Sequence, residues 1–492
     1  MQFNLRSLEG DVSSYYRFAL ALLFASIMIF TGCGGSSQSA SIPNAGFTNA
    51  SLNGTYAFAF SGTNSFGFFA MAGKFQANGG GSLSGGVLDI NSGGGIFTNV
   101  PFTGTYSIRG NGQGSATLVS SLQNFNIDFV VISSQRALVI RFDNNATASG
   151  SIDSQSSSAF SNAALLGTFA FNLAGIDAGG NSFVSGGAID TNGGGAIVSG
   201  VQDNNDNGTP STNLPVTGSY NVAANGRGTM ALNTTSGTLN FVFYVVDANR
   251  LRIVETDGVP VLSGDAIRQQ GPFSNASVSG SVAFTLGGER GTLPFTAGGI
   301  FSANGAGVIT SGTEDFNNNG SITQNLGLTG TYSVASDGRG TLALNSSAGT
   351  SNFVIYPTVL GVEMVQVDFT VLSSGVALNQ QTTAFSNATL QGIYGLDLTG
   401  VSGAGEVDSL AQFTANGSGT LNGAVDFNNV GALSSGLALN GTYAVAGNGR
   451  GTATLHSTFG AQNIIFYMVS SSRALFIETD SGLVAVGAME HQ

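Results

Sequence analysis

The residues of this sequence best suited to chemistry are aspartates that recur in four similar segments. An Asp followed by Asn and Gly opens DINSGG at Asp89, DNNDNG at Asp203, DFNNNG at Asp315 and DFNNVG at Asp426. The second and third segments match D-x-N-x-N-G, the opening of a calcium loop in which alternate oxygens converge on one ion. The calcium candidates are Asp203, Asn205, Asn207, Asp315, Asn317 and Asn319.

Both candidate calcium loops lack the carboxylate that would complete the ligand set. Its place at the twelfth position is taken by Leu214 and Leu326. Asp and Asn also build turns by hydrogen-bonding their own backbone. The sequence therefore favours turns over metal sites, and we expect folding without calcium.

A second aspartate follows the seventh predicted strand of each repeat, at Asp143, Asp257, Asp368 and Asp480. An arginine lies seven residues earlier in three repeats (Arg136, Arg250 and Arg473), whereas the remaining repeat has Gly361. A surface ion pair or a turn cap is the expected role. Across an eight-stranded barrel the two aspartates of one repeat would be about 15 Å apart. A glycosidase pair needs about 5 to 9.5 Å, so this chemistry is not indicated.

Other signals of catalysis are missing from the sequence. The two histidines, His456 and His491, both lie in the last repeat, so no Ser-His-Asp site can recur. Arg227, Arg339 and Arg450 lie in NGRG or DGRG hairpin turns rather than before helices, which does not favour a phosphate site. We predict a protein that is not an enzyme, with no catalytic residue and no cofactor.

The amino terminus carries the pattern of an exported, lipid-anchored protein. Arg6 and Arg17 precede an apolar run at 18–30, which is too short to span a bilayer comfortably and is followed by TGC. This pattern resembles a bacterial lipobox, which implies a lipid on Cys33, removal of residues 1–32 as a signal peptide, and an outer-membrane or cell-surface location. An ordinary signal peptide with an incidental Cys is the alternative. Residues 33–46 are predicted to form a flexible tether.

Composition narrows the class of protein further. The chain has 492 residues, of which 74 are Gly and 35 are Phe, with 8% charged residues and a net charge of −13. Abundant Phe beside abundant Gly favours folded, turn-rich β structure over disorder. The acidic balance argues against a nucleic-acid partner.

One sequence motif occurs four times, at intervals of about 112 residues. FTNASLNGTYAFAFSG begins at Phe47, FSNAALLGTFAFNLAG at Phe160, FSNASVSGSVAFTLGG at Phe273 and FSNATLQGIYGLDLTG at Phe385. We predict β-domains at 47–158, 159–271, 272–383 and 384–492. Each shows eight segments of alternating apolar residues separated by Asn-Gly or Asp-Gly turns. The prediction is an all-β chain of four tandem antiparallel eight-stranded meander barrels, strung as independent units, with immunoglobulin-like sandwiches as the alternative.

The opening of each repeat resembles small avidin-like and lipocalin-like barrels, which begin strand one with G-x-W. Tyr56, Phe169, Val282 and Tyr394 stand where that Trp would be. The resemblance implies the architecture but not the ligand. The whole chain also resembles repeat lipoproteins of environmental bacteria, a likeness that implies no activity.

The loops at the two ends of each predicted barrel differ in how well they repeat. Loops after the second and fourth strands are nearly alike, whereas those after the first diverge into SGTNSFG, GIDAGGNS, GGERGTLP and GVSGAGEVD. A glycan or protein ligand is expected at the loops after odd-numbered strands, although unconstrained drift would look the same. The leading hypothesis is a lipid-anchored, non-enzymatic surface protein for multivalent binding or adhesion. A structural spacer or envelope-coat component is the second hypothesis, and a polysaccharide-active enzyme is the third.

Overall fold

The fold was obtained as a computed structural model, which describes residues 45–93, 95–382 and 384–492. Within the compact unit Ala40–Gln492 the chain forms four closed, antiparallel eight-stranded barrels. The first strand of each barrel pairs with its second and its eighth, so every barrel closes on strands of its own repeat. This confirms the predicted barrels over the sandwich alternative. The predicted signal peptide, Cys33 and the tether as far as residue 44 lie outside the described residues.

Barrels one and four each contain eight continuous strands. The strands of barrel one are β1 Asn53–Asn64, β2 Gly67–Asn78, β3 Ser82–Ser92, β4 Gly95–Ile108, β5 Gln113–Ser120, β6 Asn124–Ser133, β7 Arg136–Arg141 and β8 Ala146–Ser154. The strands of barrel four are β27 Gln391–Ser402, β28 Gly405–Asn416, β29 Thr420–Asn429, β30 Ala432–Val445, β31 Arg450–Ser457, β32 Gly460–Ser470, β33 Arg473–Glu478 and β34 Leu483–His491.

In barrels two and three the fourth strand is interrupted once, giving nine segments on the same plan. The strands of barrel two are β9 Gly167–Ile176, β10 Ser182–Thr191, β11 Ala196–Asp206, β12 Thr209–Pro215, β13 Thr217–Val222, β14 Arg227–Thr234, β15 Gly237–Asp247, β16 Arg250–Glu255 and β17 Val261–Arg268. Those of barrel three are β18 Ser279–Arg290, β19 Leu293–Asn304, β20 Val308–Asn318, β21 Ser321–Gly327, β22 Thr329–Val334, β23 Gly340–Ser346, β24 Gly349–Thr358, β25 Gly361–Gln366 and β26 Val371–Asn379.

Aromatic side chains fill the barrel interiors. In barrel one the ring of Phe58 lies 6.1 Å from that of Phe75 and 6.1 Å from that of Phe102. The Phe58 ring rests on Gly73, where a Cβ would come within 2.4 Å of it. The alternation of Phe with small residues that predicted the strands thus also builds the core, because each large ring needs a bare backbone opposite it.

The repeated FxNA motif seals one end of each barrel. Five short 3-10 helices lie there, at Asn49–Ser51, Ser157–Ala159, Asn162–Leu165, Asn275–Ser277 and Asn387–Thr389. In barrel one the Asn49 side chain accepts a hydrogen bond from the Ile108 amide at 2.8 Å, and the Tyr106 hydroxyl donates to the Leu52 carbonyl at 2.7 Å. The motif is therefore a structural plug that satisfies backbone groups at a barrel end. None of the helices in the described part of the chain has the length and apolar character needed to span a bilayer.

Candidate functional site

The barrels are not independent, because each packs the outer face of its first three strands on strands six to eight of the next barrel. At the interface between barrels one and two, Ala57 and Ala72 of barrel one pack with Val242, Tyr244 and Val254 of barrel two. The second and third barrels, the third and fourth, and the fourth and first are joined in the same way. The interfaces therefore run in one direction and close into a ring of four, as a heterologous contact does when its rotation closes.

A buried ion pair lies at the centre of the first interface. Asp89 of barrel one is fully buried, and its carboxylate accepts two hydrogen bonds from Arg227 of barrel two, at 2.7 and 2.9 Å. The Tyr244 hydroxyl and the Asn99 amide also donate to Asp89. Burial, followed by the Asp89 charge, raises the pKa of Tyr244 well above its usual value, so this phenol remains a donor.

The same arrangement recurs at the next two interfaces. Arg339 donates to Asp203 at 2.6 and 2.9 Å, and Arg450 donates to Asp315 at 2.7 and 2.8 Å. Tyr356 and Tyr467 complete the two sites. The repeated aspartates and the hairpin arginines, which the sequence left as separate features, are thus partners across barrels. Their shared repeat positions are the signal that could have paired them.

The calcium candidates lie in hairpins rather than in open loops. Strand β11 continues to Asp206, and Asn207 and Gly208, at φ 47° and 80°, turn directly into β12. Left-handed Asn-Gly is a tight hairpin turn, so the oxygens are spread along a strand instead of around an ion. Asn319 and Gly320 form the same turn in barrel three, at φ 49° and 85°.

The side chains of the candidate ligands are engaged with protein groups. The Asn205 amide donates to the carbonyl oxygens of Gln366 and Asp368 in barrel three, both at 3.0 Å. Asn317 makes the equivalent bonds to Glu478 and Asp480 of barrel four. Among the described residues, no three His, Cys, Asp or Glu side chains converge where they could hold a metal. The arrangement assigns Asp203, Asn205, Asp315 and Asn317 to the interfaces between barrels.

The second series of aspartates binds backbone in two different ways. Asp257, Asp368 and Asp480 each accept the backbone N–H of an Asn within the neighbouring strand, at 2.5 to 3.0 Å. These bonds tie the loop after strand seven to strand six and do not cap the aspartate's own turn. Asp143 does cap its own turn, where it accepts the Asn145 N–H at 3.0 Å, and it also pairs with Arg141 at 2.9 Å.

The arginines that precede these aspartates do not pair with them, so that part of the prediction is wrong. Arg136 reaches Asp153 of its own barrel and Glu490 of barrel four, both at 2.7 Å. Asp153 in turn binds Arg252 of barrel two, and burial of this acid is outweighed by Arg252 and Arg136, which hold its pKa well below the usual range. The charged residues therefore link barrels four, one and two through one buried network.

Barrel four closes the ring on barrel one with a partly different set of groups. The Asn428 amide donates to the carbonyls of Arg141 and Ala146 at 2.8 Å, like the equivalent Asn side chains at the other interfaces. The Gln492 amide donates to Val131 at 2.6 Å, as Gln380 does to Met468 at 2.7 Å. The arginine and tyrosine are missing, because barrel one has Gln113 and Val130 at those positions.

We call the end of a barrel that carries the hairpins after odd-numbered strands distal, and the other end proximal. A Cβ on Gly208, at a distal hairpin, would lie 2.4 Å from the carbonyl of Phe369, in a distal loop of the next barrel. Gly431 stands in the same relation to Asn144, at 2.6 Å. Gln155 and its equivalents make the corresponding contacts between proximal ends. Like ends meet, so the four distal ends share one face of the ring.

The distal face carries the most exposed phenylalanines of the described chain. Phe66, Phe369 and Phe459 are 68%, 79% and 67% exposed, and each lies in a hairpin loop after an odd-numbered strand. Of the two histidines, His456 lies exposed on β31, and His491 packs edge-on against Tyr394 with ring centroids 4.9 Å apart. The repeated inward position of strand one holds Tyr56, Phe169, Val282 and Tyr394, all buried.

No protein-family model matches the chain, and no curated protein matches it. Solved structures that align with it include two mutants of the vaccine antigen transferrin-binding protein B from Haemophilus parasuis. One covers 72% of this chain and 83% of its own, at 11% identity, and the other covers 89% and 75%, at 9% identity. The intact two-lobed Ap-TbpB covers 74% and 86%, at 10% identity. The TM-score is 0.20 in each case, so these likenesses do not bear on the fold or the function of this chain.

Proposed function

We propose that this protein is a non-enzymatic, lipid-anchored surface protein whose distal face binds a glycan or a protein on another surface. The observation that carries the proposal is the placement of Phe66, Phe369 and Phe459 on one face of a closed ring. Exposed aromatic side chains on a largely polar surface are typical of interaction sites. Because they belong to three barrels held in fixed relation, weak contacts would act together.

The position of the amino terminus supports an anchor on the opposite face. The Phe47 amide donates to the carbonyl of Gly110, in the loop after the fourth strand, so the chain enters barrel one at its proximal end. A lipid on Cys33 would therefore hold the proximal face toward the membrane and leave the distal face free. The divergent loops after strand one also lie on the distal face.

The anchor is tested by expressing the full chain in a bacterium with two membranes and separating its membrane fractions. We expect the protein in the outer-membrane fraction, with mass spectrometry showing an acylated Cys33 as the first residue. Cys33→Ala should release the protein from the membrane. An unmodified Cys33, or retention of Met1, would contradict the anchor.

Binding is tested by applying the purified chain to arrays of glycans and of extracellular matrix proteins. The triple variant Phe66→Ser, Phe369→Ser, Phe459→Ser should lose at least tenfold of the signal, because it removes the three exposed rings. A matched control, Leu166→Ser with Leu360→Ser, removes side chains that are 60% and 50% exposed at proximal ends and should leave binding unchanged. No binding to either array, or equal loss in the control, would favour the envelope-coat hypothesis.

A further inference from the structure

Barrel two has a cup at its distal end, with a volume of 440 Å³. Three of the four distal connections contribute to it, with Asp177 after the first strand, Ser236 after the fifth and Pro260 after the seventh. Inward-facing residues of strand β11 form its wall. The cup therefore opens on the face proposed to bind a ligand and extends into the barrel.

Barrel two differs from the other barrels at one pair of inward positions beside the cup. Asn204 on β11 pairs with Ser185 on β10, whereas barrel one has Ile90 opposite Met71. Barrels three and four place phenylalanine there, Phe316 opposite Ala297 and Phe427 opposite Ser409. In barrel three Phe316 packs on Phe295, and in barrel four Phe427 packs on Phe459. Phenylalanine thus fills the mouths of barrels three and four, and small polar groups leave that of barrel two open. Barrel one has a distal pocket of its own, of about 590 Å³, which Phe66 and Arg141 line.

Two acceptor atoms in the cup have no donor. Neither Asn204 Oδ1 nor Asp206 Oδ1 is exposed, and neither has a hydrogen-bond partner among the described residues. Gln202, at 3% exposure, is held by the Ser185 hydroxyl at 3.0 Å. Buried acceptors without partners cost free energy, and rotation of these side chains toward a ligand that supplied donors would recover it.

The remaining groups indicate the chemistry of that ligand. Hydroxyl groups of Thr209, Ser211 and Ser236 line the cup and can both donate and accept. The hydroxyls of Thr234 and Thr238 also line it, but they already donate to Gly237 and Asn233. A ligand with several hydroxyl groups matches this mixture, whereas a metal ion or an ammonium group offers no acceptor. Phe183, Leu214 and Leu239 supply apolar surface for the C–H faces of such a ligand.

We infer that the cup of barrel two binds a saccharide of one or two sugar units through Asn204, Asp206 and the surrounding hydroxyls. The inference rests on the proposed binding function of the distal face and names the ligand class for one barrel. It predicts no equivalent site in barrels three and four, because phenylalanine fills their mouths. Exposed phenylalanines are not required for it.

The test is saturation-transfer NMR on the full chain with glucose, galactose, mannose, N-acetylglucosamine, maltose, cellobiose and lactose. We expect transfer to at least one of these at millimolar concentration. Asn204→Phe copies the Ser–Phe pair of barrel four, and Asp206→Asn copies Asn429, so both should fold. Each should weaken saccharide binding at least tenfold. The control Leu166→Ser, at the proximal end of the same barrel, should leave it unchanged.

Absence of transfer to every sugar, or equal transfer with Asn204→Phe, would overturn the inference. Calorimetric binding of Ca²⁺ or spermidine to the cup without any saccharide would overturn it as well. If no saccharide binds but array binding still depends on the phenylalanines, the saccharide site is wrong and the proposed function stands. If a saccharide binds the cup but the arrays show no binding, the saccharide site stands and the role of the exposed phenylalanines is wrong.

Discussion

Three of the four interfaces between barrels share a buried Asp–Arg–Tyr site, and the fourth, which closes the ring, does not. At the first three, a fully buried Asp accepts bidentate hydrogen bonds from an Arg, and another hydrogen bond from a Tyr, of the next barrel. At the closing interface Asp426 faces a barrel that offers Gln113 and Val130 instead. Since the barrels associate at all four interfaces, the Asp–Arg–Tyr site is not needed for association. Its absence from one interface distinguishes the closing contact from the other three.

The large and the small residue exchange sides between the two kinds of interface. Tyr467 fits over Gly298, where a Cβ would come within 2.4 Å of its ring, and Tyr244 packs with Ala72. Leu410 takes the place of these small residues in barrel four, and it packs on Val130 of barrel one. A barrel carrying the tyrosine would clash with Leu410. Steric mismatch therefore prevents the wrong neighbours from joining at the closing position.

The largest expected effect comes from breaking one of the three ion pairs. Arg339→Met leaves the Asp203 carboxylate buried and without its cation, which should cost about 3 kcal/mol of stability. Urea unfolding measures this. Arg109→Met is the control, since this exposed arginine lies near Asp426 and its loss should cost under about 0.5 kcal/mol. Equal losses of unfolding free energy in the two variants would show that the buried ion pair stabilises the protein no more than an exposed arginine does.

Next in size is the apolar contact that replaces the ion pair at the closing interface. Leu410 is fully buried, so Leu410→Ala should cost about 2 to 3 kcal/mol. The alanine copies Ala72 of barrel one, which excludes backbone strain as the cause. A cost below about 0.5 kcal/mol would mean that Leu410 is exposed in solution and that the ring is open there.

The closing interface should also respond to pH, because carboxyl groups are buried there without arginine partners. Burial raises the pKa of Asp408, and burial together with the Asp408 carboxylate raises that of Glu406. Burial and the Asp426 charge raise the pKa of Asp128 to about 7. These groups hold their protons more tightly when folded, so their contribution to stability is complete below about pH 4 and is lost as pH rises through the folded values.

We therefore expect the melting temperature to fall between about pH 5 and pH 8, and to fall less in Asp408→Asn. Asp408 accepts a hydrogen bond from the Thr147 hydroxyl at 2.6 Å, which an amide oxygen can also accept. Scanning calorimetry across this range measures the slope. An identical slope in the variant would remove Asp408 from the account.

The smallest effect concerns the glutamines that follow each eighth strand. Gln269 donates to Pro357 at 3.0 Å and Gln492 donates to Val131 at 2.6 Å, so Gln269→Ala and Gln492→Ala should each cost about 1 kcal/mol. Thermal unfolding of the two variants side by side provides the comparison. A silent Gln492→Ala beside a costly Gln269→Ala would indicate that only the closing contact is absent.

The barrels could be predicted from the sequence because each strand has a recognisable local sequence pattern. Alternating Phe and small residues, and Asn-Gly turns, depend on neighbours a few positions away. The length of strand three could not be predicted this way, since DNNDNG has the residues of both a loop and a hairpin. Asp206 is still in the strand, and the turn is only Asn207 and Gly208.

The interfaces were hidden for a different reason. Asp203 and Arg339 are 136 residues apart, and nothing local distinguishes a buried interface charge from a turn residue. Ala57, Ala72 and Gly298 looked like ordinary small strand residues, although they are the surfaces on which the next barrel rests. The distal loops could be singled out because their sequences diverge. The cup of barrel two could not be predicted, because Ser185 and Asn204, the polar pair beside it, look like ordinary strand residues in the local sequence.

Closure of the ring between barrels four and one is tested most directly by disulfide trapping. Val130 and Gly395 face each other across this interface, where a Cβ on Gly395 would lie 3.0 Å from Val130 Cγ1. A Cβ on Gly395 would also lie 2.6 Å from Ile132 Cδ1, so Ile132→Val is included to remove that methyl group. The full chain with Cys33→Ser, Val130→Cys, Ile132→Val and Gly395→Cys then has two cysteines that face each other across this interface. The account predicts an intramolecular crosslink in nearly every molecule under mild oxidation, seen as a mobility shift and as one linked peptide by mass spectrometry. Two free thiols, or crosslinks only between molecules, would contradict the closed ring.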